Sequence, residues 1–98
     1  MNVKLLLFVQ DGCPPCNEVK ENLNHINNWE KYIQITNLGH NQESDDLIQK
    51  YEIDETPFMV IIENEEVTGK LRGSSNMSIS MLERIINIIE KGLIVEQR

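Results

Sequence analysis

The chain has no apolar run long enough for a membrane, no basic excess, no internal repeat, no low-complexity tract and only two cysteines. A bilayer-crossing helix needs roughly 18 or more consecutive apolar residues, so no spanning segment is predicted. The net charge of -7 argues against phosphate-backbone binding, which needs basic patches, so no nucleic-acid partner is expected. That acidity favours solubility and electropositive protein partners. Met1-Asn2-Val3-Lys4 lacks the basic, then apolar, then small-residue layout of a signal peptide, and the expected compartment is cytoplasmic. Two close cysteines do not make the disulfide framework of a small secreted protein.

What is present fits one domain. Ninety-eight residues with 40% apolar content allow one sheet layer and a few covering helices. The domain is expected over 1–92, with a tail over 93–98. Lys4 to Val9 is a nearly continuous apolar run, the pattern of a central strand buried on both faces. Gln10-Asp11-Gly12 breaks it. A helix then runs from Pro14 with Val19, Leu23 and Ile26 at helical spacing, and is predicted to end near Trp29. Tyr32 to Thr36 reads as a short strand. Ser44 reads as the N-cap of a helix through Tyr51, with Asp45 and Asp46 in its first turn. Phe58 to Ile62 and Val67 to Arg72 read as a hairpin about Glu63-Asn64-Glu65-Glu66. Ser78 caps a last amphipathic helix that ends near Gly92. The order is β-α-β-α-β-β-α, an α/β class. Parallel pairing is predicted across the first crossover helix and antiparallel pairing for the last two strands.

Reactive chemistry is concentrated in Cys13-Pro14-Pro15-Cys16, at a strand-to-helix junction. A cysteine at the helix N-cap faces the free N–H groups of the first turn. Pro14 and Pro15 cannot donate, so the N–H of Cys16 is the expected donor to the Cys13 sulfur. The helix dipole adds positive potential, and together these favour thiolate over thiol, with pKa values of roughly 3.5 to 7 for such motifs. Cys13 is therefore the expected nucleophile and Cys16 the resolving thiol. Asp11 would oppose this if it pointed inward, and Lys20, one turn beyond Cys16, would offset Asp11. Two other readings of the pair fit the residues. One is half of a zinc site completed by His25 and His40, although these do not form a second ligand pair. The other is an inert buried pair.

Other residues carry weaker signals. Thr56-Pro57 precedes an apolar strand. Only about 5–6% of X–Pro bonds in folded proteins are cis, so the residues by themselves favour a trans strand-start proline. Gly73 permits a turn. Trp29 reads as a packing residue, His25 and His40 as solvated, and Met59, Met77 and Met81 as core or gap fillers.

Taken together, residues Val3 to Gly92 resemble the thioredoxin and glutaredoxin superfamily, and small thioredoxin-like proteins of bacteria and phages in particular. Phe8-Val9 followed by Gly12-Cys13-Pro14-Pro15-Cys16 resembles the family's active-site strand and loop. Thr56-Pro57-Phe58-Met59-Val60-Ile61 resembles its cis-proline segment, and Lys70 to Gly73 its closing hairpin and glycine. The resemblance implies a compact thioredoxin fold with a four-stranded mixed sheet flanked by helices. It makes Pro57 cis and facing the cysteines, against the trans preference above. It implies a substrate groove formed by Gly12, Pro14, Pro15, Thr56, Pro57 and Gly73, with the Thr56 backbone open to a substrate strand.

The implied activity is protein-disulfide reduction by a Cys13/Cys16 dithiol, with no bound cofactor and no metal. The disulfide would be recycled by a thioredoxin-reductase-like flavoprotein with NADPH, or by glutathione. Partners would be disulfide-containing protein substrates, with no membrane involved and a monomeric chain. Two departures lean away from thioredoxin: Gly12 stands where a tryptophan is usual, and Leu7 where a buried aspartate is usual. Two others lean away from glutaredoxin: the Pro-Pro dipeptide, and Ser74-Ser75-Asn76 after Gly73. The chain also starts directly at the active-site strand and helix, without the leading strand and helix of full thioredoxins. A glutathione-dependent reductase, and a binding module with dispensable cysteines, remain as alternatives. The last helix, where Met81 and Ile88 widen the apolar stripe, would serve the binding module.

Overall fold

The computed structural model describes residues 3–91. Strand β1, Val3–Val9, is the axis of the sheet and is paired on both edges. Its alternation explains why the run is apolar throughout. Leu5, Leu7 and Val9 face one layer, and Leu6 and Phe8 face the other. Strand β2, Ile33–Asn37, pairs parallel to β1, with Leu7 opposite Ile35. Strand β3, Phe58–Glu63, pairs antiparallel to β1, with Phe8 opposite Phe58 and Leu7 opposite Met59. Strand β4, Glu66–Arg72, pairs antiparallel to β3, and the sheet order is β2-β1-β3-β4. The four-stranded mixed sheet, the β-α-β-α-β-β-α order and the predicted strand directions are all present.

Helices cover both faces. Helix α1, Pro14–Asn24, and helix α3, Ile79–Glu90, lie on the Leu5-Leu7-Val9 side and bury Cys16, Val19, Leu23, Leu82 and Ile86 there. Helix α2, Gln42–Tyr51, lies on the opposite side, with Leu47, Ile48 and Tyr51 against Phe8 and Phe58. Fully burying a side chain of this size stabilises a fold by roughly 1.5–3 kcal/mol relative to leaving it exposed.

Four boundaries differ from the sequence reading. Helix α1 stops at Asn24 rather than near Trp29. Asn28 takes a left-handed backbone (φ 63°), and Trp29–Lys31 form a separate 3-10 turn. Strand β2 is shifted one residue along, to end at Asn37. Helix α2 is capped by Asn41, not Ser44: Asn41 Oδ1 accepts from Ser44 N at 2.8 Å. Ser44 Oγ turns back to accept from Gly39 N at 2.9 Å, so the serine braces the preceding loop. In the hairpin, strand pairing reaches Glu63 and Glu66. Only Asn64 and Glu65 turn, both with positive φ (52° and 72°), as tight two-residue hairpins require.

Helix α3 is capped by Ser78 Oγ, which accepts from Met81 N at 3.3 Å, as expected. Gly92 and the 93–98 tail lie outside the described residues. Met59 and Met77 are core, whereas Met81 is 38% exposed, so it does not fill the core. Trp29 packs against the larger core cluster, and His25 and His40 are exposed.

Candidate redox site at the end of strand β1

The chain order of the strands brings distant segments to one end of the sheet. β1 delivers Gln10 to Cys16 at its carboxyl end. Antiparallel β3 begins at the same end, which places Thr56 and Pro57 there. β4 ends there, which places Gly73. Leu38, after β2, closes the edge by donating its N–H to Val9 O at 2.7 Å.

Cys13 is the N-cap of α1, in extended conformation (φ -113°, ψ 99°), with Pro14 and Pro15 at the first two helical positions. Neither proline has an N–H, so the first available donor is Cys16 N, which lies 3.2 Å from Cys13 Sγ. The main chain of Cys13 also accepts, from Asn17 N at 3.1 Å. The two cysteines form a disulfide, with Cα atoms 5.2 Å apart. Their surroundings are unequal. Cys13 is half-buried, while Cys16 is 0% exposed and packed among Leu7, Val19 and Met59.

The groups around the pair are placed as follows. The Thr56–Pro57 peptide is cis, as the family resemblance implied and contrary to the preference of the residues by themselves. Pro57 is buried. The Thr56 carbonyl oxygen lies 3.7 Å from Cys13 Sγ, and Thr56 Oγ1 lies 3.6 Å from the same sulfur. Gly12 (φ 70°) and Gly73 (φ 81°) occupy left-handed backbone with open space where a Cβ would be, so backbone conformation is what calls for glycine at both. Gly73 N donates to Pro57 O at 3.0 Å, so this N–H braces the proline segment rather than pointing outward. Gly12, Pro14 and Pro15 form the exposed rim on the other side of the sulfur.

The two charged neighbours weighed in the sequence lie as follows. Asp11 is exposed, and its Oδ1 accepts from Asn37 Nδ2 at 3.2 Å, which ties the carboxylate to the end of β2. Lys20 forms no ion pair among the described residues. No group of three or more His, Cys, Asp or Glu side chains that could hold a metal ion occurs among the described residues, and the two sulfurs are bonded to each other.

Sequence reasoning missed Gln10. Its Oε1 accepts from Thr56 Oγ1 at 3.2 Å. The signal was available: Gln10 is the first polar residue after the β1 run, two residues past Phe8 and so on the same face.

Together these observations describe a thioredoxin-like fold with a C-x-x-C disulfide at a helix N-terminus. No family model matches the chain. Solved structures do resemble it. Thioredoxin from Aeropyrum pernix superimposes with a TM-score of 0.69 at 19% identity, covering 89% of this chain and 75% of that one. Oxidised mitochondrial thioredoxin 3 from Saccharomyces cerevisiae gives 0.64 at 20% identity, over 87% and 76% of the two chains. Reduced thioredoxin from Schistosoma mansoni gives 0.63 at 24% identity, over 87% and 76%. At this level of identity the likeness establishes the fold, and the chemistry has to be argued from the residues of the site.

Proposed function

We propose that this protein is a thiol–disulfide oxidoreductase that reduces disulfides of protein substrates through the Cys13–Cys16 dithiol, in the cytoplasm and as a monomer. The observation that carries this reading is the asymmetry of the pair. One sulfur is reachable and sits 3.2 Å from a backbone donor at a helix N-terminus. The other is 0% exposed. An inert packed pair would have no reason to place one sulfur at the surface end of a helix dipole.

The chemistry divides accordingly. Cys13 thiolate attacks one sulfur of a substrate disulfide, forming a mixed disulfide and releasing the other substrate sulfur as a thiolate. Cys16 then loses its proton and attacks Cys13 Sγ. The second substrate thiolate leaves, and the Cys13–Cys16 disulfide closes. Two electrons pass from the dithiol to the substrate. Leu7 supplies no base beside Cys16, so the Cys16 proton goes to the substrate thiolate freed in the first step or to water. Exposed Gly12, Pro14 and Pro15, with Thr56 against the sulfur, are the substrate-facing rim in this reading, and Gly73 and buried Pro57 support Thr56 from behind. Recycling takes two electrons, from NADPH through a flavoprotein reductase or from two glutathione molecules.

Insulin reduction followed by turbidity, with each recycling system in turn, tests this reading. Turnover is expected with at least one system and is abolished by Cys13→Ser. The system that supports it separates thioredoxin-like from glutathione-dependent recycling. Absence of turnover with both, together with an unreactive Cys13, would leave a binding module whose cysteines are dispensable.

A further inference from the structure

We propose that the Thr56 hydroxyl changes acceptor with the redox state of the pair, from Gln10 Oε1 in the disulfide to Cys13 Sγ in the thiolate, and that Gln10 is the positioning residue that sets the balance. This rests on the redox reading above and deepens it.

Register explains why these side chains meet. The β1–β3 ladder ends with Phe8 opposite Phe58. Stepping two residues outward on each strand leads from Phe8 to Gln10 and from Phe58 back to Thr56. Both lie just beyond the last paired residues, and the contact between their side chains joins the two chains at this end of the sheet. Both line a cleft with Leu38, Ile48 and Ile53.

One proton serves two acceptors. Thr56 Oγ1 lies 3.2 Å from Gln10 Oε1 and 3.6 Å from Cys13 Sγ. A hydroxyl has a single O–H, so it satisfies one of them at a time. Against a disulfide sulfur, which is a weak acceptor, the amide oxygen wins on both distance and chemistry. Reduction adds two electrons and two protons to the pair, supplied by a dithiol or by glutathione, and Cys13 then ionises. A thiolate is a charged acceptor, and hydrogen bonds to charged groups are roughly twice as strong as neutral ones. Rotation of the Thr56 hydroxyl toward the sulfur follows, and exposed Gln10 returns to water at little cost. Gln10 thus stabilises the disulfide and the neutral thiol against the thiolate, acting entirely through Thr56.

The carboxylates nearest this pair act equally on every variant compared below. Asp54 and Glu55 line the cleft, with Asp54 paired to Arg72, and Asp11 is held by Asn37.

The test compares Gln10→Met, Thr56→Val, Thr56→Ser and the Gln10→Met/Thr56→Val double variant of the full chain. Two readouts are used: the pH dependence of iodoacetamide alkylation of Cys13, and the equilibrium constant of the pair against reduced and oxidised glutathione. Thr56→Val should make Cys13 about tenfold less acidic, the weight of one hydrogen bond to a charged group at a half-buried site. Gln10→Met should shift acidity about two- to threefold the opposite way, and should move the glutathione equilibrium toward the reduced pair. Thr56→Ser keeps the hydroxyl and should restore wild-type values. In the double variant Gln10→Met should add nothing to Thr56→Val, because its effect passes through the hydroxyl.

The inference is overturned if Gln10→Met leaves both readouts unchanged, or if its effect persists in the absence of the Thr56 hydroxyl. A wild-type pair that neither alkylates at Cys13 nor equilibrates with glutathione overturns the redox reading itself, and this inference with it.

Discussion

Cys13 Sγ receives the backbone N–H of Cys16 at 3.2 Å, so the main chain of one cysteine holds the sulfur of the other. The two prolines between them make this the first N–H of the helix able to do so. The same turn therefore sets the charge state of one sulfur and the position of the other.

The consequence for trapping is asymmetric. Cys16→Ser should accumulate a mixed disulfide between Cys13 and a protein substrate, because the second step is blocked. Cys13→Ser should accumulate none, since Cys16 is 0% exposed. Non-reducing gels and mass spectrometry of the linked peptide check this. A complex captured through Cys16 would reverse the assigned roles.

Leu7 is 0% exposed, in the same core cluster as Cys16 and between Ile35 and Met59 on the neighbouring strands. Introducing the acid common at this position in thioredoxins, as Leu7→Asp, is expected to cost stability here, on the order of 3 kcal/mol or more at neutral pH. Burial among apolar side chains raises the folded-state pKa of the new carboxyl above its unfolded value of about 3.9. The charge-related penalty is therefore absent below the unfolded value, grows as pH rises toward the folded one, and is complete above it. Urea midpoints measured from acid to neutral pH should diverge from wild type in that direction.

The cap of α2 offers a ranking. Asn41→Ala removes the side chain that accepts from Ser44 N and should cost about 1 kcal/mol. Ser44→Ala removes only the brace on Gly39 N, in an exposed loop residue, and should cost less, about 0.5 kcal/mol. Thermal or urea denaturation distinguishes these. A larger loss for Ser44→Ala would restore serine as the cap.

Tyr32 joins the start of β2 to the end of α3 through Tyr32 Oη donating to Glu90 Oε2 at 2.6 Å. The hydrogen bond to Glu90, then desolvation, then the carboxylate charge hold the phenol above its ordinary value of 10.0. Because the folded-state pKa is raised, the contribution to stability is fully present below the ordinary value. It is lost as pH rises through the raised one. Phenolate absorbance should show Tyr32 ionising above its ordinary range, Glu90→Gln should lower it, and Tyr32→Phe should remove this alkaline component from the stability profile.

Much of this was legible in the chain. The β1 and β3 runs are apolar on both faces because a central strand has no solvent side. The N-cap role of Cys13 followed from Pro14 and Pro15, whose missing N–H groups leave Cys16 as donor. The cap of α2 was misread because Asn41 and Ser44 are both good caps three residues apart. Which one holds the other depends on whether Gly39 needs an acceptor, and that is a property of the loop. The early end of α1 was missed because Val19, Leu23 and Ile26 keep helical spacing past Asn24. Ile26 is buried without continuing the helix: His25 N and Ile26 N bond to Asn22 O and Leu23 O, three residues back, which tightens the chain out of α1.

By itself the sequence determined the order of elements, the reactive pair and its donor, because these depend on residues within one turn or one strand of each other. Tertiary structure decided which groups share the space around Cys13. Antiparallel pairing of β3 with β1 carried Thr56 to the sulfur, the same register set Gln10 against the Thr56 hydroxyl, and packing under α1 closed off Cys16. Contacts between residues more than 40 positions apart depend on strand direction and register, and neither is written in the local pattern of the chain.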